Sequence, residues 1–136
     1  MTRRLTLAFA LLASSAACGA DITLADVTPY VGNYTLRTIN AFPLPYAILQ
    51  STEVRLEITE ESFSLAANSS FQDVTNYRRT KASGVIDYPA DTLTGTYEIR
   101  GQTISFKTSN GASLSGQVGL TSFTVIGSST IFLYAK

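Results

Sequence analysis

The sequence lacks histidine and tryptophan and has a single cysteine among its 136 residues. Without histidine, this sequence cannot form a Ser-His-Asp relay, a Cys-His relay or a histidine-based metal site. The lone cysteine, Cys18, has no partner in the chain, which excludes an intramolecular disulfide framework. We therefore expect no enzymatic activity and no cofactor.

An excess of charge of one sign is also missing, since ten Lys and Arg residues balance ten Asp and Glu residues. A nucleic-acid-binding protein is expected to carry a concentrated basic footprint, so that function is disfavoured. No segment shows helical periodicity longer than two turns. A glycine-rich phosphate loop leads into a helix, so we expect no such loop in this sequence. After residue 17, no apolar run approaches the roughly 20 residues of a membrane helix.

The first 17 residues have the order of a secretory signal, with two arginines, an apolar run over residues 5–13 and small residues over 14–17. The following Ser15-Ala16-Ala17-Cys18 resembles the lipobox of bacterial lipoproteins, with Ser15 where leucine is usual. The resemblance implies cleavage before Cys18 and acylation of its thiol with chains such as palmitate. The alternative is ordinary signal peptidase cleavage at the same bond, which leaves a free thiol.

The residue after the cysteine is Gly19 rather than aspartate. In bacterial lipoproteins this choice favours the outer membrane, so the resemblance implies a protein anchored there by lipid alone, facing the periplasm or the surface. We divide the chain into a signal peptide (1–17), a tether (18–28) and one domain (29–136). Removing residues 1–17, which hold two of the ten Lys and Arg residues, leaves 119 residues with a net charge near −2. That length supports one core without metals or disulfides, and we expect a monomer.

The later half of the chain predicts an antiparallel meander of short strands. A two-residue loop at 100–101 would set Gly95 opposite Phe106, and a three-residue loop at 109–111 would set Phe106 opposite Leu114. Two loops of different length thus preserve one apolar face, which indicates a sheet wrapped around a core.

The earlier half also alternates with period two. We expect a two-residue hairpin at Glu60-Glu61 that pairs Ile58 with Phe63 and leaves both glutamates at a solvated tip. Residues 68–74 are expected to form a polar loop before a strand over 77–86.

A last hairpin, closed by a three-residue loop at 127–129, would set Phe123 opposite Leu133. Eight to ten short antiparallel strands with one apolar face predict an all-β domain, a single up-and-down barrel without exposed sheet edges. An open sandwich is the alternative architecture.

The chain resembles the lipocalin-like superfamily, in particular small bacterial lipocalin-like lipoproteins. Gly32-x-Tyr34 is similar to the lipocalin Gly-x-Trp, and Gly95-Thr96-Tyr97 followed by Gly101-x-x-Ile104-x-Phe106 is similar to a later hairpin of those proteins. Two features depart from the pattern: Lys136 stands where lipocalins have an arginine stacked on the tryptophan, and Asp87-Tyr88 lacks the preceding threonine. The resemblance implies that the barrel binds a small hydrophobic molecule.

A barrel of about eight strands is either filled by its side chains or holds one small ligand, and the sequence leaves both possibilities open. If there is a cavity, Arg79 is the candidate anchor for an anionic amphiphile; the alternative is that Arg79 and Lys81 blunt an exposed strand. The candidate ligand-binding residues are Tyr34, Leu36, Leu56, Phe63, Arg79, Tyr97, Phe106 and Phe123.

A second class of function remains open from the sequence. With a filled barrel, the protein would be an interaction or inhibitor module of the cell envelope that acts through its loops. The candidate loops are Asn40 to Pro45 and Asn68 to Asn76.

Overall fold

The computed structural model describes residues 26–136, so the predicted signal peptide, Cys18 and most of the tether lie outside the described residues. Within this part of the chain, one 3₁₀ turn, Thr28–Tyr30, precedes eleven strands. The strands are β1 (Gly32–Ile39), β2 (Phe42–Pro43), β3 (Tyr46–Gln50), β4 (Val54–Leu65), β5 (Ser70–Lys81), β6 (Ile86–Asp87), β7 (Ala90–Arg100), β8 (Thr103–Thr108), β9 (Ser113–Gln117), β10 (Ser122–Ile126) and β11 (Ile131–Ala135). None of the helical structure in residues 26–136 has the length and apolarity needed to span a membrane.

Eight of these strands close into an antiparallel barrel. The order around the wall is β1, β4, β5, β7, β8, β9, β10 and β11, and β1 pairs with both β11 and β4. The short strands β2, β3 and β6 lie outside this ring, paired with β1, β4 and β5 respectively. The predicted all-β barrel is confirmed, and the continuous ring of pairings rules out the open sandwich.

The meander keeps its predicted face but not its first register. Arg100 pairs with Thr103, so the β7–β8 loop is at 101–102, and Phe106 lies opposite Tyr97 rather than Gly95. Gly101, with a φ of 60°, takes the first turn position, where a positive φ is required in tight hairpins. The pairing of Phe106 with Leu114 is confirmed.

The predicted hairpin at Glu60-Glu61 is wrong, because β4 runs through both residues as one continuous strand. Opposite β5, the register shifts between Ile58 and Glu60, which leaves Thr59 as an extra residue in a β-bulge. The Thr59 hydroxyl donates a hydrogen bond to the Asn76 carbonyl, at 3.0 Å. The bulge reverses the alternation, so that Ile58 and Phe63, five residues apart, are both buried.

The predicted polar loop over 68–74 is also wrong, since β5 begins at Ser70 and pairs with β4 and β7 over most of its length. Phe71 is buried and stacks on Phe63, with ring centroids 5.1 Å apart. Its hydrophobic contact outweighs the turn-forming tendency of the polar residues around it.

The last hairpin has a four-residue loop, 127–130, instead of the expected three-residue loop. The amide of Gly127 donates to the Thr130 carbonyl at 2.8 Å, and Phe123 pairs with Tyr134 rather than Leu133. One residue of difference exchanges the faces of β11. Tyr134 is therefore buried and stacks on Phe123, with centroids 4.7 Å apart, whereas Leu133 is half-buried.

Aromatic rings fill one half of the barrel, which we call the aromatic plug. Phe63 is at its centre, with four ring centroids between 5.1 and 5.4 Å away. Glycine permits this close packing, because a Cβ at Gly95 would overlap the Lys107 carbonyl oxygen and the Phe71 ring. The rings of the plug belong to Tyr34, Phe63, Phe71, Tyr97, Phe106, Phe123 and Tyr134.

The chain enters the barrel at the plugged end. The Tyr34 hydroxyl donates a 2.6 Å hydrogen bond to the Tyr30 carbonyl in the 3₁₀ turn. The ammonium of Lys136 lies 5.2 Å from the centroid of the Tyr34 ring, within the range of a cation–π interaction, and approaches the Pro29 carbonyl at 3.4 Å. Lys136 thus joins the end of β11 to the start of β1.

Candidate functional site

The other half of the barrel contains a cavity of about 490 Å³. Its floor is made of deeply buried side chains, among which Phe63 is 1% exposed and Tyr134 is 3% exposed. Its rim includes exposed residues, such as Ile48, Asp91 and Asn110, so the space opens towards solvent. The full lining is Ile48, Ile58, Glu61, Phe63, Asp73, Thr75, Tyr77, Asp91, Leu93, Asn110, Leu114, Val125, Gly127, Phe132 and Tyr134.

Two neighbouring strands bring two carboxyl groups into this cavity. Glu61 follows the β4 bulge, which turns it inward together with Phe63, and Asp73 shares the inward face of β5 with Phe71 and Thr75. Glu61 is 4% exposed and accepts a short hydrogen bond from the Tyr134 hydroxyl. We call Glu61 and Asp73 the carboxyl pair.

Burial and mutual repulsion disfavour the ionisation of both members of the carboxyl pair. Burial, followed by the negative charge of Glu61, raises the pKa of Asp73 from 3.8 to about 8. Burial also raises the pKa of Glu61, while hydrogen bonds from Tyr134, Asp73 and Thr75 oppose the shift. Because the two groups titrate together, the pair holds a proton at neutral pH that separate, solvated carboxylates would have lost.

One oxygen of the pair has no donor outside the pair. Asp73 Oδ1 is shielded from solvent, and no N–H or hydroxyl group of the described residues donates to it. Buried polar atoms are almost always hydrogen-bonded, so an unpaired carboxyl oxygen in a cavity wall requires an explanation. The proton that the pair retains provides one, since the carboxyl groups of Asp73 and Glu61 are hydrogen-bonded to each other.

Of the eight predicted ligand-binding residues, one lines the cavity and seven lie elsewhere. Phe63 lines the floor, and Tyr34, Tyr97, Phe106 and Phe123 belong to the aromatic plug beneath it. Leu36 is buried in the core and Leu56 is half-buried, and neither lines the cavity.

Arg79 lies beyond the mouth of the barrel, on the same face of β5 as Tyr77. Its guanidinium forms a salt bridge with Asp87 on β6, at 2.7 Å, and Lys81 approaches the same carboxylate at 3.6 Å. This ion pair raises the pKa of Arg79 and lowers that of Asp87. The anchoring of an anionic headgroup by Arg79 stays a prediction, but Arg79 does not line the cavity and already has an anionic partner.

The sequence interpretation missed Glu61, Asp73 and Tyr134. A usable signal existed for Asp73, since Phe71, Asp73, Thr75 and Tyr77 alternate with period two. For Glu61 there was no comparable signal, because its orientation depends on the bulge at Thr59.

The chain matches no protein-family model and no curated protein. Among residues 26–136, no group of three or more histidine, cysteine, aspartate or glutamate residues is placed to hold a metal ion. The cavity and its carboxyl pair are therefore the features on which a function can be argued.

Proposed function

We propose that this protein is a lipid-anchored envelope protein whose lipocalin-like barrel binds one small, largely apolar molecule in its open half. The observation that carries the proposal is the cavity of about 490 Å³, within the range of roughly 300 to 1,000 Å³ that is typical of ligand sites. Its walls include Leu93, Leu114, Val125 and Phe132, and a few polar groups converge at its floor. The proposal gives the cavity a role in binding and none in catalysis.

The relation to lipocalins is supported by two features. The barrel has eight antiparallel strands, and Tyr34 of the Gly32-x-Tyr34 motif lies under the Lys136 ammonium. This lysine occupies the place of the arginine in the lipocalin pattern, so the pair keeps a cation over an aromatic ring, although an ammonium cannot stack on the ring as a planar guanidinium does.

Ligand binding is tested by titrating N-phenyl-1-naphthylamine, a neutral apolar fluorophore, into the mature chain. We expect saturable fluorescence enhancement with one site per chain. Leu93→Trp places a larger ring in the cavity and should weaken binding at least tenfold, whereas Leu120→Trp, at a position that is 66% exposed and outside the cavity, should leave it unchanged. Equal binding by both variants would place the probe elsewhere, and no saturable binding to the wild type would contradict the proposal.

Envelope anchoring rests on the lipobox-like segment that ends at Cys18. Radiolabelled palmitate should enter the wild-type protein in a bacterial host and not the Cys18→Ser variant. If neither protein or both proteins are labelled, Cys18 is not the anchor.

A second candidate function is a protein-interaction module. It is favoured by exposed apolar side chains on the strands outside the ring, with Phe42 63% exposed, Leu49 49% and Ile86 50%. The predicted loop Asn40 to Pro45 contains part of this surface, but Asn68 to Asn76 lies mostly in β5. Cross-linking in the native envelope should then give an adduct that Phe42→Ser abolishes, while Leu93→Trp leaves it intact.

A further inference from the structure

The cavity has a negative electrostatic character. Three of its lining residues, Glu61, Asp73 and Asp91, have carboxyl groups, and no lysine or arginine lines it in the described part of the chain. The two arginines of β5, the strand that carries Asp73, do not line the cavity and are already paired: Arg78 binds Glu57 at 2.7 Å, and Arg79 binds Asp87. An anionic ligand would therefore meet repulsion without a compensating cation.

The floor of the cavity offers hydrogen-bond acceptors. Glu61 already accepts from Tyr134, and no N–H or hydroxyl group of the described residues donates to Asp73 Oδ1. A ligand with several N–H donors would take the place of the proton that the two carboxyl groups share and reduce the repulsion between their ionised forms. A positive charge on that donor is worth more than a neutral one, because charge-assisted hydrogen bonds are roughly twice as strong.

We propose that the cavity selects a cationic amphiphile, a molecule with a protonated amine that binds the Glu61–Asp73 carboxyl pair and an apolar body that packs against Leu93, Leu114 and Val125. The inference rests on the function proposed above and specifies its ligand class. In the sequence, Arg79 suggested a ligand with an anionic headgroup, whereas the headgroup proposed for the cavity is cationic.

Proton release should accompany amine binding. The titratable groups around the pair are Tyr134 on β11, Tyr77 on β5 and Asp91 on β7. All three are acids, so no cationic side chain in the described lining competes with the amine for the carboxyl pair. A bound ammonium stabilises the ionised form of Asp73 and expels its proton. Amine affinity should therefore rise between about pH 6 and 8, a range in which an alkylamine remains protonated, while the affinity of a neutral analogue should stay constant.

The test compares decylamine, decanol and decanoate as competitors of N-phenyl-1-naphthylamine. In the wild type at pH 8, we expect decylamine to displace the probe at roughly 10- to 100-fold lower concentration than decanol, the range for one charge-assisted hydrogen bond. Decanoate should be the weakest competitor. Asp73→Asn and Glu61→Gln keep the shape of the site and should each reduce the preference for the amine to less than about threefold while decanol binding is retained.

Glu98→Gln is the matched control, because it removes the same charge from a residue paired with Arg100 outside the cavity. It should leave the amine preference unchanged. If decanol or decanoate competes as well as decylamine in the wild type, or if Glu98→Gln lowers the preference as much as Asp73→Asn, the inference is wrong although ligand binding itself stands. Failure of every competitor and of the probe would overturn both proposals. If Asp73→Asn does not fold, Glu61→Gln and the wild-type pH profile still decide the question.

Discussion

Glu61 and Asp73 hold two carboxyl groups in a space where full ionisation of both is costly. Asp73 responds by retaining its proton, with its pKa raised to about 8. Tyr134 contributes a hydroxyl that remains protonated, since burial and the neighbouring negative charges raise its pKa. The three side chains thus combine one negative charge with donors that stabilise it, which is the arrangement expected when one proton is shared in a poorly hydrated site.

The carboxyl pair makes stability depend on pH. Between its ordinary pKa of 3.8 and its folded value of about 8, Asp73 is protonated in the folded protein and ionised in the unfolded chain. The folded state then binds more protons through Asp73, so the contribution of Asp73 to the free energy of unfolding should fall as the pH rises through this window. Urea unfolding of the wild type from about pH 5 to 8 should show this decrease, and Asp73→Asn should flatten it and be the more stable protein at pH 8. Parallel pH dependences for the two proteins would contradict the raised pKa of Asp73. Glu98→Gln is the control, and it should keep the slope of the wild type.

Among individual residues, the sequence predicted the buried aromatic residues better than the buried Glu61. Phe106, Phe123 and Tyr97 were expected to face inward and do so, because large apolar side chains have few alternatives to burial. Glu61 was expected at a solvated turn, which is the usual place for a glutamate. Its burial depends on Tyr134, a partner 73 residues away that no local pattern reveals.

At the scale of strands, β-bulges and loop lengths determine which face a side chain occupies. The extra residue Thr59 in β4 turns Glu61 into the cavity, and the four-residue loop before β11 turns Tyr134 towards it. A period-two pattern shows which residues share a face of a strand, but it does not reveal an inserted residue. One inserted residue moves every side chain beyond it to the opposite face. The β8–β9 loop was predictable since Gly111 marks it, whereas the bulge at Thr59 has no such marker.

Close strand contact at Gly116 is a second element-level requirement. A Cβ at this position would overlap the carbonyl oxygen of Thr124 on β10. Gly116→Ala should therefore separate β9 from β10 and lower the free energy of unfolding by about 1 to 3 kcal/mol, the usual cost of overpacking. Gly119→Ala, where the nearest atom is 3.6 Å from the added Cβ, should change it by less than about 0.5 kcal/mol. Equal losses in urea unfolding would attribute the effect to the loss of glycine in general and not to this contact.

At the scale of the whole molecule, the sequence left open whether the barrel is filled by its side chains or holds a cavity. The structure combines the two, with a filled half and a half that contains a cavity. Aromatic rings fill the end where the chain enters, and the end near the β10–β11 loop encloses a cavity. The closed fold was predictable because a consistent apolar face on many short strands leaves few other architectures. The division of the interior was not, since it depends on how seven rings from different strands share one space.

The most direct test of a ligand-binding open half is a residue-resolved titration. Amide chemical shifts of the ¹⁵N-labelled mature chain should be recorded as N-phenyl-1-naphthylamine is added. We expect the largest changes at Thr75, Leu93 and Val125, which line the cavity, and small changes at Tyr97 and at the exposed Ile86. Changes confined to β2, β3 and β6, or none at saturating probe, would contradict the assignment of the cavity as the binding site.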